Sequence, residues 1–106
     1  MIPKKRKPTT PGEILQEEFL TPLGVTQKQL AHHTDCDIKV INRIINGRTS
    51  VTAEMAVRLG IVLNTSPEFW LNAQQAVDLY QATRRIRRLP SKLVFRQRKN
   101  RQALAS

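Results

Sequence analysis

Lys39, Asn42 and Arg43 sit close together in the run Ile38-Lys39-Val40-Ile41-Asn42-Arg43-Ile44-Ile45, whose other members are all apolar. Their chemistry is that of base-edge recognition. The fork of Arg43 matches O6 and N7 of guanine, the amide of Asn42 matches N6 and N7 of adenine, and Ile38 or Val40 can press on a thymine methyl. Two flanking groups have the chemistry of phosphate binding. Thr26, Gln27 and Lys28 open one helix, where free backbone N–H groups hold an anion. Arg48, Thr49 and Ser50 follow the Asn42–Arg43 segment and add a cation and two hydroxyls. Ile38, Lys39, Val40, Asn42 and Arg43 are therefore the expected base contacts. Thr26, Gln27, Lys28, Arg48, Thr49 and Ser50 are the expected phosphate contacts, which set register where base contacts set sequence.

Such side chains work only if a fixed helix presents them. Thr26 and Gln29 fit a capping box for a helix that follows, with Val25 placed to staple onto Leu30. Thr34-Asp35-Cys36 reads as a turn. Asp37 is the expected N-cap of the next helix, with Cys36 and Ile41 as a second staple, and Asn46-Gly47 stops it. Ile41, Ile44 and Ile45 form its inward stripe. Two short helices joined by a tight turn give a helix-turn-helix, whose second helix lies in the major groove of DNA. Upstream, Thr10-Pro11-Gly12-Glu13 fits a capping box opening a helix with Ile14, Leu15 and Phe19 inward, which Pro22 and Gly24 should end. Downstream, Met55, Ala56, Leu59, Val62 and Leu63 mark a helix from Thr52. Thr65 or Ser66 then caps a fifth helix with Phe69, Ala73, Ala76, Val77 and Tyr80 on one face and Trp70 beside it. The expected fold is all-α, with five helices. Its parts are a basic flexible arm over 1–9, a domain over 10–83 and a basic extension over 84–106, where Pro90 should interrupt any helix and 92–98 reads as a strand or a further helix.

The net charge of +10 over 106 residues suggests a nucleic-acid partner, but its distribution matters more. The first seven residues carry +4, the last 23 carry +9, and the body between them carries −3. The basicity belongs to the tails. Within 26–48 there is still a local excess of +2. The C-terminal basic run reads as a solvated face, a DNA-backbone clamp, or a segment for RNA or another partner. One cysteine, Cys36, excludes an internal disulfide. No apolar run is long enough for a membrane helix, and MIPKKRK lacks the apolar segment of a secretory signal, so a cytoplasmic location is expected. His32 and His33 point about 100° apart on a helix and find no second ligand cluster, so no metal is expected. No phosphate-cradling loop, H-E-x-x-H or nucleophile elbow is present, so neither catalysis nor a cofactor is expected.

Gln27 with Leu30-Ala31, Thr34, Ile41, Arg43-Ile44 and Asn46-Gly47 resembles the phage-repressor (XRE) class of helix-turn-helix proteins, with its lambda-repressor-like domain. The Pro11-Gly12-Glu13-Ile14-Leu15 opening, with Ser66-Pro67-Glu68-Phe69-Trp70-Leu71-Asn72, is similar to the HigA-type antitoxins, also described as virulence-associated protein I. The resemblance spans about residues 10–82. It implies a homodimer on double-stranded operator DNA that autorepresses its operon and neutralises a RelE/HigB-like, mRNA-cleaving toxin. Glu13, Glu17 and Glu18 are the acidic face expected to meet a basic toxin. Phe69, Trp70, Ala73, Val77 and Tyr80 are the expected dimer interface. Asp35 departs from the pattern, which usually holds Gly at that turn. The alternatives are a stand-alone repressor without a toxin and, further off, an RNA- or ribosome-associated protein using its basic tails.

Overall fold

The computed structural model describes residues 6–96. Residues 1–5 and 97–106, with part of both basic tails, lie outside that range. The described chain folds into five helices without a strand, as expected. Helix α1 is a continuous run of three segments: Pro11–Ile14, a π-helical turn Leu15–Leu20, and Thr21–Leu23. It is followed by α2 (Gln27–Thr34), α3 (Ile38–Ile45), α4 (Ala53–Leu63) and α5 (Pro67–Arg85). No described helix is long and apolar enough to cross a membrane.

Local capping sets where each helix starts. The Thr10 hydroxyl accepts from the Glu13 N–H at 3.0 Å, and the Glu13 carboxylate accepts from the Thr10 N–H at 2.9 Å. Thr26 and Gln29 repeat the same reciprocal pair at 3.0 and 2.9 Å. Asp37 caps α3 by accepting from the Lys39 N–H at 2.8 Å, and Thr52 caps α4. The choice between Thr65 and Ser66 falls to Ser66, which accepts from the Phe69 N–H at 3.1 Å. Thr65 has another task. Its hydroxyl accepts the indole N–H of Trp70 at 2.7 Å, so the buried Trp carries no unsatisfied donor.

Two expectations for α1 need correction. Pro22 does not end the helix; it sits inside the last segment, and Gly24 at φ 67° closes it. Leu20 was left out of the inward face, yet it is buried together with Leu15. On an α-helix these two residues, five apart, would point about 140° away from each other. The wider π turn brings Leu20 back towards the face of Leu15. It also gives room to the Pro22 ring, which would clash with the carbonyl four residues earlier in a tight helix. Phe19, in the same turn, meets Trp70 at 5.5 Å and Phe69 at 6.4 Å between ring centroids, joining α1 to α5.

The core forms where α1, α2, α3 and α4 converge on Trp70. Gly12 decides how closely α1 approaches α3. A Cβ at this position would lie 2.6 Å from the carbonyl oxygen of Ile45 and would also collide with that of Ile44. Only a glycine lets the first turn of α1 rest on the backbone at the end of α3. At the other end of the chain α5 passes the expected boundary at 83 and stops at Arg85, five residues before Pro90. Residues 86–96 have no regular structure, so neither the strand nor the helix considered for the segment from Lys92 appears over its described part.

Two predictions follow from these contacts. Gly12→Ala should lower the denaturation midpoint, costing about 1–3 kcal/mol as overpacking does, measured by urea unfolding. Hydrogen bonds from the Thr10 backbone first, and then its side chain, hold the Glu13 carboxyl below its ordinary value of 4.5. A depressed carboxylate stabilises the fold above that value and loses this contribution as pH falls through its folded pKa. Wild type should therefore exceed Glu13→Gln at neutral pH, by a few tenths of a kcal/mol for so exposed a group. The gap should close in unfolding titrations carried below pH 4.5.

Candidate nucleic-acid interface

Helix α3 has a buried side and an outward side. Ile41 and Ile44 are buried, Ile45 is half-buried, and Ile38, Lys39, Asn42 and Arg43 are exposed. An open cleft of about 450 Å³ is lined by Gln27, Ile38, Lys39, Asn42, Arg43 and Arg48. Four of the five expected base-contact residues are thus brought to one surface. Val40 is the exception. It is half-buried and packs against the core, so it is not available to a thymine methyl in the way Ile38 is.

Gln27, expected to face phosphate, belongs to this cleft. Its Oε1 accepts from the Asn42 Nδ2 at 3.2 Å. Asn46 Nδ2 in turn donates to the Asn42 Oδ1 at 3.2 Å and to the Asn42 carbonyl at 3.0 Å. Two neighbouring amides, those of Gln27 and Asn46, therefore fix the rotation of the Asn42 side chain. One N–H and one lone pair of that amide remain, the pair that adenine needs. The spacing of Asn42 and Asn46, one turn apart, was visible in sequence; the link to Gln27, 15 residues away, was not.

At the start of α2, Thr26 is spent on capping, which leaves the amides of Gln27 and Lys28 without intrahelical acceptors. Lys28 is exposed beside them. After α3, Gly47 takes φ 69° and the Arg48 N–H closes on the Arg43 carbonyl at 2.8 Å. Thr49 and Ser50 are exposed and line a second cleft, of about 510 Å³, shared with Arg48, Lys7 and the α5 residues Gln74, Asp78 and Gln81. Gln74 positions this loop. Its Oε1 accepts from the Val51 N–H at 2.9 Å while its Nε2 donates to Asp78 at 3.0 Å.

The turn between α2 and α3 carries Asp35 at φ 56°, the left-handed conformation where glycine is usual. Arg58 of α4 holds it. Its Nη1 donates to the carbonyls of Thr34 at 2.7 Å and Asp35 at 3.2 Å, and its other nitrogens bind Glu54 at 2.8 and 3.3 Å. The Glu54 hydrogen bond is the main cause raising the Arg58 pKa, with the charge of Asp35 contributing. The Thr34 hydroxyl donates to the Leu30 carbonyl at 2.7 Å and lies 3.1 Å from the Cys36 sulfur. The Glu54–Arg58 spacing was readable on a helix face, but nothing local pointed to the turn, 24 residues away.

The expected dimer face divides. Trp70 is 0% exposed and Val77 is buried, both within this chain's own packing, so neither is offered to a partner. Trp70 belongs to the core because the side of α5 next to the face read from periodicity is packed by Phe19 of α1 and by Thr65. Phe69, at 40%, reaches the surface, and Ala73 and Tyr80 are half-buried. Leu79, overlooked in sequence, is 60% exposed on the distal half of α5, and Ala76, read on the same face as Phe69 and Tyr80, is exposed. Among the described residues no group of three or more His, Cys, Asp and Glu could hold a metal ion.

Comparison with known proteins places this geometry. The helix-turn-helix family model matches residues 16–70. A protein of Haemophilus influenzae described as an uncharacterized HTH-type transcriptional regulator is 49% identical over 75 residues, which are 71% of this chain and 70% of the relative. Antitoxin HigA-1 of Vibrio cholerae is 43% identical over 81 residues, 76% of each chain. The solved structure of Pseudomonas aeruginosa antitoxin HigA with the higBA promoter superposes with a TM-score of 0.71 at 35% identity, covering 73% of this chain and 84% of that one.

Substitutions separate the two kinds of expected contact. Arg43→Ala should lower discrimination at one base position, by about 1–3 kcal/mol in a panel of point-mutated duplexes. Arg48→Ala should weaken binding to all duplexes alike. Identical behaviour of the two variants would mean that α3 is rotated away from the bases.

Proposed function

Because this chain belongs to the helix-turn-helix family and, within it, to the HigA-type antitoxins, we propose that it is a sequence-specific repressor of its own operon that also neutralises a RelE/HigB-like, mRNA-cleaving toxin. The observation that carries the DNA half is the cleft in which Gln27, Ile38, Lys39, Asn42, Arg43 and Arg48 meet. Ile38, Lys39, Asn42 and Arg43 read base edges from α3. Lys28, Arg48, Thr49 and Ser50, with the free amides at the start of α2, hold the flanking phosphates. The chain catalyses nothing; the nuclease activity is the toxin's.

Reading a palindrome requires two copies with their α3 helices one turn of DNA apart, about 34–36 Å. The surface that supports a homodimer is the outer face of α5 around Phe69, Ala73, Leu79 and Tyr80, which leaves apolar area uncovered in one protomer. On the toxin side, Glu17 and Glu18 are exposed on α1 beside Glu13, an acidic face suited to a basic partner. Glu13 is committed to capping α1, so the free charges are Glu17 and Glu18.

Co-expression with the neighbouring gene of the operon tests the proposal. Growth arrest caused by that gene alone should be rescued by this chain, and Glu17→Lys with Glu18→Lys should abolish rescue while leaving the helical circular-dichroism signal intact. A neighbouring gene without toxicity, alongside operator binding, would instead favour a stand-alone repressor.

A further inference from the structure

The basic C-terminal segment has three readings, and its position in the fold favours the DNA-backbone clamp. Residues 79–96 contain six Lys or Arg and no acid. The second cleft brings Gln81 of α5 to the same concavity as Lys7 and as Arg48, Thr49 and Ser50, the last three being residues assigned to phosphate. Arg84 and Arg85 follow Gln81 by three and four residues, the spacings that share one helix face. They therefore continue that face beyond the cleft. The Arg84 guanidinium lies 5.5 Å from the centre of the Tyr80 ring, one turn back on the same helix. Beyond the helix end Arg87, Arg88, Lys92 and Arg96 are exposed on a segment without regular structure. Glu13 and Asp78 also line the cleft beside Lys7 and Arg48, so its lining is mixed in charge; the further cations lie along the chain leading away from it.

We propose that residues 84–96 form a second DNA-backbone contact, a sequence-independent clamp on phosphates next to those held by Arg48, Thr49 and Ser50. The clamp rests on the operator-binding reading above and extends it. Side chains at the end of a helix followed by an irregular segment suit phosphates, which need charge within reach rather than the fixed register of base readout. Its energetic signature is counterion release.

The full chain should be titrated with its operator duplex and with a random duplex of equal length over a range of salt concentrations. Replacing Arg84, Arg85, Arg87 and Arg88 by Gln should make the slope of log K against log salt less negative by about 0.9 per lost phosphate contact, thus by about 2 for one contact per tail in a dimer. Both duplexes should weaken alike, and the operator-to-random ratio should be retained. The same four positions as Lys should restore the slope. An unchanged slope in the Gln variant, with operator binding intact, would overturn the clamp. So would a loss confined to toxin binding or to single-stranded RNA, which would give the tail to that partner. Failure of the wild-type chain to prefer operator over random duplex would instead count against the operator reading, and the slope on random DNA would still report on the tail.

Discussion

Helix α3 has eight residues, too few to be stable by itself in water, where isolated helices need about 12–15. Everything around it makes good that deficit. Its inner face is held by burying Ile41 and Ile44 in the core. Its C-terminal end is covered by α1, which can approach only because residue 12 has no side chain. The turn before it is tied to α4 by Arg58, and its outer amide Asn42 is tied to α2 by Gln27. The loop after it is tied to α5 by Gln74. Each of the other four helices thus contributes one contact that fixes the position or rotation of a short reading element. That is what a base-reading surface requires, since an error of rotation would exchange Asn42 and Arg43 for their inward neighbours.

Features written in neighbouring residues were legible from sequence. The reciprocal caps at Thr10 and Thr26, the Asp37 cap, the left-handed stops and the isoleucine stripe all involve partners within a few positions. The features that were missed depend on residues far apart in the chain. Arg58 meets its turn carbonyls across 23 and 24 residues, and Gln74 meets Val51 across 23. Polar contacts of this kind leave no periodic trace. The π turn escaped for a related reason. It reconciles Pro22 with burial of both Leu15 and Leu20, a compromise that only the assembled core enforces. Trp70 was misplaced because periodicity describes a helix with one buried side, and α5 is gripped by Phe19 and Thr65 on a second.

The charge pattern is best understood in two parts. The body is acidic, yet it gathers Lys39, Arg43 and Arg48 around one cleft, where side-chain geometry matters. The tails carry the bulk of the positive charge, and over residues 86–96 that charge sits on a segment without regular structure. This division matches the two tasks of a sequence-specific DNA-binding protein. A rigid surface discriminates among bases, and loosely held cations supply non-specific affinity. The same division leaves the acidic surface of α1 available to a partner of opposite charge.

The central claim, that α3 and its supports form the DNA-reading face, is tested most directly by amide chemical-shift mapping. The isotope-labelled protein would be titrated with a duplex from its own promoter. The account predicts perturbations concentrated at Gln27, Lys28, Ile38 to Arg43 and Arg48 to Ser50, with the outer face of α4 around Val57 and Ile61 silent. Perturbations centred on Val57 and Ile61, or confined to the tails with α3 unaffected, would contradict it.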